Sequence, residues 1–180
     1  MMTRVLLLLA IGAVCAGPSP AQAEVVDRSP VGFTVRTTVP IAASADAVYR
    51  ALVQEVGTWW DAGHTFSGNA ANLRLDPRPG GCFCEMLPDG GGVEHAVVVN
   101  AVPGELLRLR GALGPLQGTG VTGALTWQLA TNPNGAVDAG VTYAVGGYYP
   151  GGLDAIADAV DAVIGGQLRR LKAHVERLAR

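Results

Sequence analysis

The chain has 180 residues, a formal net charge of −2 and a composition that is 49% hydrophobic and 16% charged. No basic stripe faces a polyanion, beyond ordinary helix-end charges in the last segment, so nucleic acid is not an expected partner. The length suits one domain able to bury about two-thirds of its extended-chain surface.

Residues 1–23 read as a cleavable signal peptide. Met1-Met2-Thr3-Arg4 supplies one positive charge and Val5 to Ala16 is apolar. Gly17-Pro18-Ser19-Pro20 then breaks the run before Ala21-Gln22-Ala23, the small-x-small form that signal peptidase cuts. The run falls short of the ~20 apolar residues that span a bilayer, which weighs against a retained anchor. Cys15 does not mark a lipid attachment site, because Val14 stands where Gly or Ala is needed. The expectation is an exported protein, periplasmic or secreted, that starts at Glu24 and keeps no integral membrane segment.

Residues 24–31 read as a short polar lead and 32–180 as the domain. Phe33, Val35, Thr37, Val39 and Ile41 alternate with Thr34, Arg36 and Thr38, the pattern of a half-buried strand. Ser44 is a helix N-cap for 45–53, and 58–61 forms another helical turn before a polar loop over 63–72. A short strand at 73–75 follows. Strands at 82–87 and 93–101 flank Pro88-Asp89-Gly90-Gly91-Gly92, and strands at 123–130 and 137–145 flank Asn132-Pro133-Asn134-Gly135, two hairpin signals. Another strand covers 106–113, and 114–122 is a Gly-rich connection. From Leu153 to Leu178 apolar residues recur at three and four, the stripe of one long helix, interrupted by Gly165-Gly166 as a point of close packing or a bend. The fold class is therefore α+β: a curved antiparallel sheet of about seven strands gripping a C-terminal helix.

Centring the first hairpin on Gly90 pairs Glu85 with His95 and Phe83 with Val97. Centring the next near Pro103 sets Val99 opposite Leu107. One face then holds Phe83, Glu85, Leu87, Val93, His95, Val97, Val99, Leu107 and Leu109. The other holds Cys82, Cys84, Met86, Glu94, Ala96, Val98, Asn100, Leu106, Arg108 and Arg110, and its charges make it the outer one. Cys82 and Cys84 so lie outside the cup, at the edge of disulfide geometry.

Glu85 and His95 are thus expected side by side on the apolar inner face, as a structural pair or a ligand anchor. His64 in the polar loop is a candidate for the same region. Trp59, Trp60 and Phe66 close the core or gate the opening; Trp127 and Tyr143 point inward with an indole and a hydroxyl donor. No nucleophile elbow, phosphate loop, dinucleotide fingerprint or zinc motif occurs, and the two remaining cysteines lack further ligands. No cofactor and no metal are expected.

Val39-Pro40-Ile41, Ala47-Val48-Tyr49-Arg50-Ala51-Leu52, Pro79-Gly80-Gly81-Cys82-Phe83 and Val102-Pro103-Gly104-Glu105-Leu106-Leu107-Arg108-Leu109, with the terminal helix, carry a resemblance over residues 33–178. The chain resembles the START-like (SRPBCC) superfamily of helix-grip proteins, nearest to bacterial relatives of the heat-shock ATPase activator and to polyketide cyclase-like proteins. The resemblance implies a cavity between sheet and helix for hydrophobic ligands and carries over no catalytic residue. An export signal argues against the cytosolic co-chaperone role. Three functions stay open: a carrier of a small hydrophobic molecule, lipid-like or aromatic; a cyclase- or hydratase-like enzyme using Glu85 and His95 as an acid–base pair; or a protein-binding module with a filled core.

Overall fold

The structure, a computed structural model, describes residues 22–180. The expected signal segment lies outside the described residues apart from Gln22 and Ala23. Eight strands form one antiparallel sheet: β1 (Gln22–Ser29), β2 (Gly32–Ile41), β3 (Leu73–Leu75), β4 (Cys82–Met86), β5 (Gly92–Val102), β6 (Leu106–Arg110), β7 (Gly120–Thr131) and β8 (Val137–Tyr148). Their spatial order is β1-β2-β8-β7-β6-β5-β4-β3. Between β2 and β3 lie α1 (Ala45–Gln54) and α2 (Val56–Trp59), and α3 (Ala157–Leu178) closes the chain behind a 3₁₀ turn at Leu153–Ile156. Among the described residues no helix is long and apolar enough to cross a membrane.

The expected grip of sheet on helix is present. Phe33, Val35, Thr37, Val39 and Ile41 are buried toward α3, which buries Ile164, Leu168, Leu171 and Val175 in return. Ser44 caps α1, its hydroxyl accepting the Ala47 N–H at 3.3 Å. Gly165 is the point of close packing: a Cβ there would stand 2.9 Å from Thr37 Oγ1. Gly166 meets nothing within 4 Å, so only the first of the two glycines has that reason.

Two sequence expectations change. Residues 24–29 are strand, not a polar lead; β1 pairs with β2 from Gln22↔Thr38 to Ser29↔Gly32. As a sheet edge it carries charge along its length, and Arg28 clasps Asp158 of α3 at 2.6 and 2.8 Å. Charge hid the alternation. The Gly-rich connection at 114–122 is likewise shorter, because a 3₁₀ turn at Gly114–Gly118 leads straight into β7.

The register of the central hairpins also differs. The first turn centres on Asp89, in the left-handed region at φ 64°, so Glu85 faces Val93 and Cys84 faces Glu94. A bulge then inserts His95, after which Phe83 faces Ala96 and Cys82 faces Val97. A second bulge at Val99 precedes Asn100↔Arg108, Ala101↔Leu107 and Val102↔Leu106. Each bulge flips the faces that follow it. Ala96 and Val98 are buried inside, contrary to the alternation argument, whereas Val97 lies outward and Val99 is 42% exposed. Cys82 and Cys84 are on the outer face as expected, and they form a disulfide with Cα atoms 5.4 Å apart.

Candidate ligand cavity

The bulge at His95 decides the chemistry of the interior. It turns both His95 and Ala96 inward, where strict alternation would send one of them out. Glu85 is 1% and His95 6% exposed, and His95 Nε2 stands 3.0 Å from Glu85 Oε2. They are diagonal neighbours across the bulge, not the direct cross-strand pair expected from the turn. The contact survives the register change because Glu85 and His95 still share the inner face.

Glu85 has further partners. Its carboxylate accepts the Phe66 N–H at 3.0 Å and the Ser67 N–H through its other oxygen. One buried carboxylate therefore ties the loop after α2 to β4 and β5. Burial alone would raise its pKa, but hydrogen bonds from Ser67, Phe66 and His95 outweigh burial and hold it below the ordinary carboxylate value. Burial pushes the His95 pKa down, only partly opposed by Glu85. The pair at neutral pH is an ionised Glu85 accepting Nε2–H from a neutral imidazole. His95 Nδ1 then carries a lone pair; it has no partner among the described residues and is not one of their sealed, unpaired atoms.

That imidazole lines a cavity of about 520 Å³. Its walls come from α3, two connecting segments and the sheet. Ile156, Ala159, Val160, Val163 and Ile164 project from α3 and the turn before it. Trp60, His64, Thr65 and Phe66 come from the loop after α2, and Leu113, Pro115 and Leu116 from the turn before β7. Phe83, Tyr143 and Tyr149 complete it. Phe66 and Phe83 flank the His95 ring with centroids 5.9 and 5.1 Å away. Phe66 is 52% exposed and His64 is exposed, so both sit at the opening.

The structure thus brings seven of the nine sequence candidates together: His95, His64, Trp60, Phe66 and Phe83 and Tyr143 on the wall, with Glu85 directly behind. Trp59 and Trp127 are elsewhere. They pack edge to face at 6.0 Å in the core beneath α1, and Trp59 Nε1 donates to Ala51 O at 2.9 Å. Tyr143 is on the wall, but its hydroxyl is engaged: it donates to Gly111 O at 3.1 Å and accepts the Leu113 N–H at 3.0 Å. Burial pushes its pKa up to about 12. It braces the 111–113 segment instead of offering a free donor.

Sequence reasoning missed the wall built by residues 113–116 and by Tyr149. The helix residues of the wall were visible as one side of the α3 stripe, but nothing in the stripe separates core positions from cavity positions.

No family model matches the chain, and no curated protein matches it. Solved structures do. A conserved protein of unknown function from Enterococcus faecalis superposes with a TM-score of 0.58 at 15% identity, covering 87% of this chain and 77% of that one. An uncharacterised Rhizobium leguminosarum protein gives 0.59 at 22%, covering 88% and 99%. The di-domain ARO/CYC StfQ of the steffimycin biosynthetic pathway gives 0.55 at 20%, covering 84% of this chain and 53% of that one. The chain has the helix-grip fold. At these identities the likeness concerns the fold alone.

Proposed function

We propose that the protein is an exported START-like carrier, holding one small hydrophobic molecule, lipid-like or aromatic, between its sheet and α3. The observation that carries this reading is the cavity. Its volume, about 520 Å³, falls within the ~300–1,000 Å³ of small-molecule sites, and its walls are apolar and aromatic with few polar groups. Such a space weighs against a protein-binding module with a filled core, since interiors rarely keep voids larger than a water. The likeness to StfQ, a protein of a biosynthetic pathway, supports a small-molecule ligand.

Binding is tested with N-phenyl-1-naphthylamine, a neutral fluorophore that brightens in apolar surroundings. Saturable enhancement at one molecule per chain is expected; a linear, unsaturable response would sink the reading. Export rests on the sequence of residues 1–23. N-terminal sequencing of envelope material is expected to begin at Glu24, and material beginning at Met1 would refute it.

A second reading, proton-transfer catalysis, has one specific observation in its favour. His95 is oriented through Nε2 by a buried carboxylate while its other nitrogen is left to the cavity, the base-and-orienter arrangement of general acid–base sites. Chemical change of a bound compound, absent in a His95→Gln variant, separates enzyme from carrier.

A further inference from the structure

Resting on the carrier reading, the polar groups of the cavity narrow the class of ligand. Most are already committed. Tyr143 OH is bonded to the backbone at 111 and 113, Thr65 Oγ1 donates to Ala62 O at 2.8 Å, and Trp60 Nε1 donates to His64 O at 3.2 Å. His64 is exposed at the opening and Tyr149 is half-buried. Among the described residues, the wall's polar side chains left without a partner are exposed His64, the half-buried Tyr149 hydroxyl and His95 Nδ1, of which only His95 belongs to a buried residue.

We propose that the cavity selects neutral molecules carrying a hydroxyl donor, phenols or alcohols, and discriminates against carboxylates. The geometry gives two reasons. Glu85 occupies Nε2, so the nitrogen left for a ligand is an acceptor, and a ligand hydroxyl donates to it. Behind the imidazole, Glu85 places a buried negative charge with no cation among its hydrogen-bond partners, which are Phe66 N, Ser67 N and the imidazole. A carboxylate entering the pocket would find no donor at this pole. It would also lose its own hydration and face a like charge through poorly screening surroundings. The Phe66 and Phe83 rings, with centroids 5.9 and 5.1 Å from that of His95, add flat apolar surface beside the acceptor, which suits a planar hydroxylated ring. The competing arrangement is a carboxylate held head-out against His64 with its apolar part inside.

The test is competition against N-phenyl-1-naphthylamine by four ligands of one skeleton at neutral pH: naphthalene, 2-naphthol, 2-methoxynaphthalene and 2-naphthoate. The expected result is 2-naphthol about tenfold tighter than naphthalene, in line with one hydrogen bond. The donorless ether should match naphthalene and 2-naphthoate should bind at least tenfold more weakly. In a folded His95→Phe variant the preference for 2-naphthol should vanish while naphthalene still binds. The four-ligand order in the unaltered protein decides the matter even if that variant does not fold. Naphthalene binding with no advantage for 2-naphthol overturns the selectivity and leaves the carrier reading standing. Naphthoate equal to naphthalene overturns it too and favours the head-out arrangement. If neither the fluorophore nor any of the four binds, the carrier reading falls, and the selectivity with it.

Discussion

Replacing Glu85 with leucine is expected to cost about 3 kcal/mol or more of stability, because three donors lose the acceptor they share. The carboxylate serves three donors at once: Phe66 N, Ser67 N and His95 Nε2. Leucine satisfies none of them, and each donor left buried without an acceptor costs about 1–3 kcal/mol. Were the pair alone at stake, replacing Glu85 and His95 together would leave stability unchanged or raise it, because both members leave. The structure changes that expectation. The double apolar variant still orphans the two loop N–H groups, so it should remain less stable than the unaltered protein, though by less than Glu85→Leu. Urea denaturation of the two variants provides the measurement. A loss under about 1 kcal/mol for Glu85→Leu would mean that the 65–68 loop does not depend on this carboxylate.

The same pair contributes to the pH dependence of stability in a definite direction. Glu85 has a lowered pKa in the folded chain, so its contribution is present above the unfolded value and is lost as pH falls through the folded one. His95 is also lowered, which means the unfolded chain takes up its proton first on acidification. Stability therefore begins to fall below about 6.5, the free histidine value, and falls further below the free glutamate value. Both shifts act in the same direction, so acid should weaken the fold and release the loop that Glu85 holds. The Glu85→Leu variant should show a shallower acid limb, since Asp76, Asp158 and Glu176, also held below their ordinary values, still contribute.

The sequence made the scaffold legible because hydrophobic spacing and turn chemistry agree along most of the chain. The period-2 pattern of 33–41, the Asn132–Gly135 turn and the three-and-four stripe of α3 each correspond to an observed element. It missed β1, since an edge strand bearing Glu24, Asp27 and Arg28 has no apolar alternation to read. The site was legible in part. Alternation puts Glu85 and His95 on one apolar face, and they do meet there, but through a bulge that no residue between 92 and 97 announces. A bulge adds one residue to one strand, and Val-rich sequence such as 97–99 tolerates either facing. Simple alternation therefore puts Val97 and Val99 inside, where the structure has Ala96 and Val98. Trp59 and Trp127 were ambiguous because a buried indole fits core and cavity equally well by composition. Their mutual packing depends on α1 lying over the sheet, a tertiary fact with no local signature.

Filling the cavity from α3 and the turn before it is expected to abolish binding while leaving the fold intact. Ile156, the last residue of the 3₁₀ turn before α3, and Val163 of α3 both line the cavity. Changing both to tryptophan sends two indoles into the space of about 520 Å³. Enlarging a side chain in a packed core costs about 1–3 kcal/mol, because neighbours are forced off their rotamers. Here both positions are only half-buried and the new rings enter unfilled volume, so the cost should be small and partly offset by the apolar surface they cover. Circular dichroism and urea midpoint should therefore stay close to those of the unaltered protein, while affinity for N-phenyl-1-naphthylamine drops at least a hundredfold, about 2.7 kcal/mol. A positional control is available in Trp127, which packs against Trp59 away from the cavity. Trp127→Phe should lower stability yet leave affinity unchanged while the chain is folded. Unchanged affinity in the doubly filled variant would show that the fluorophore binds outside the sheet–helix cavity.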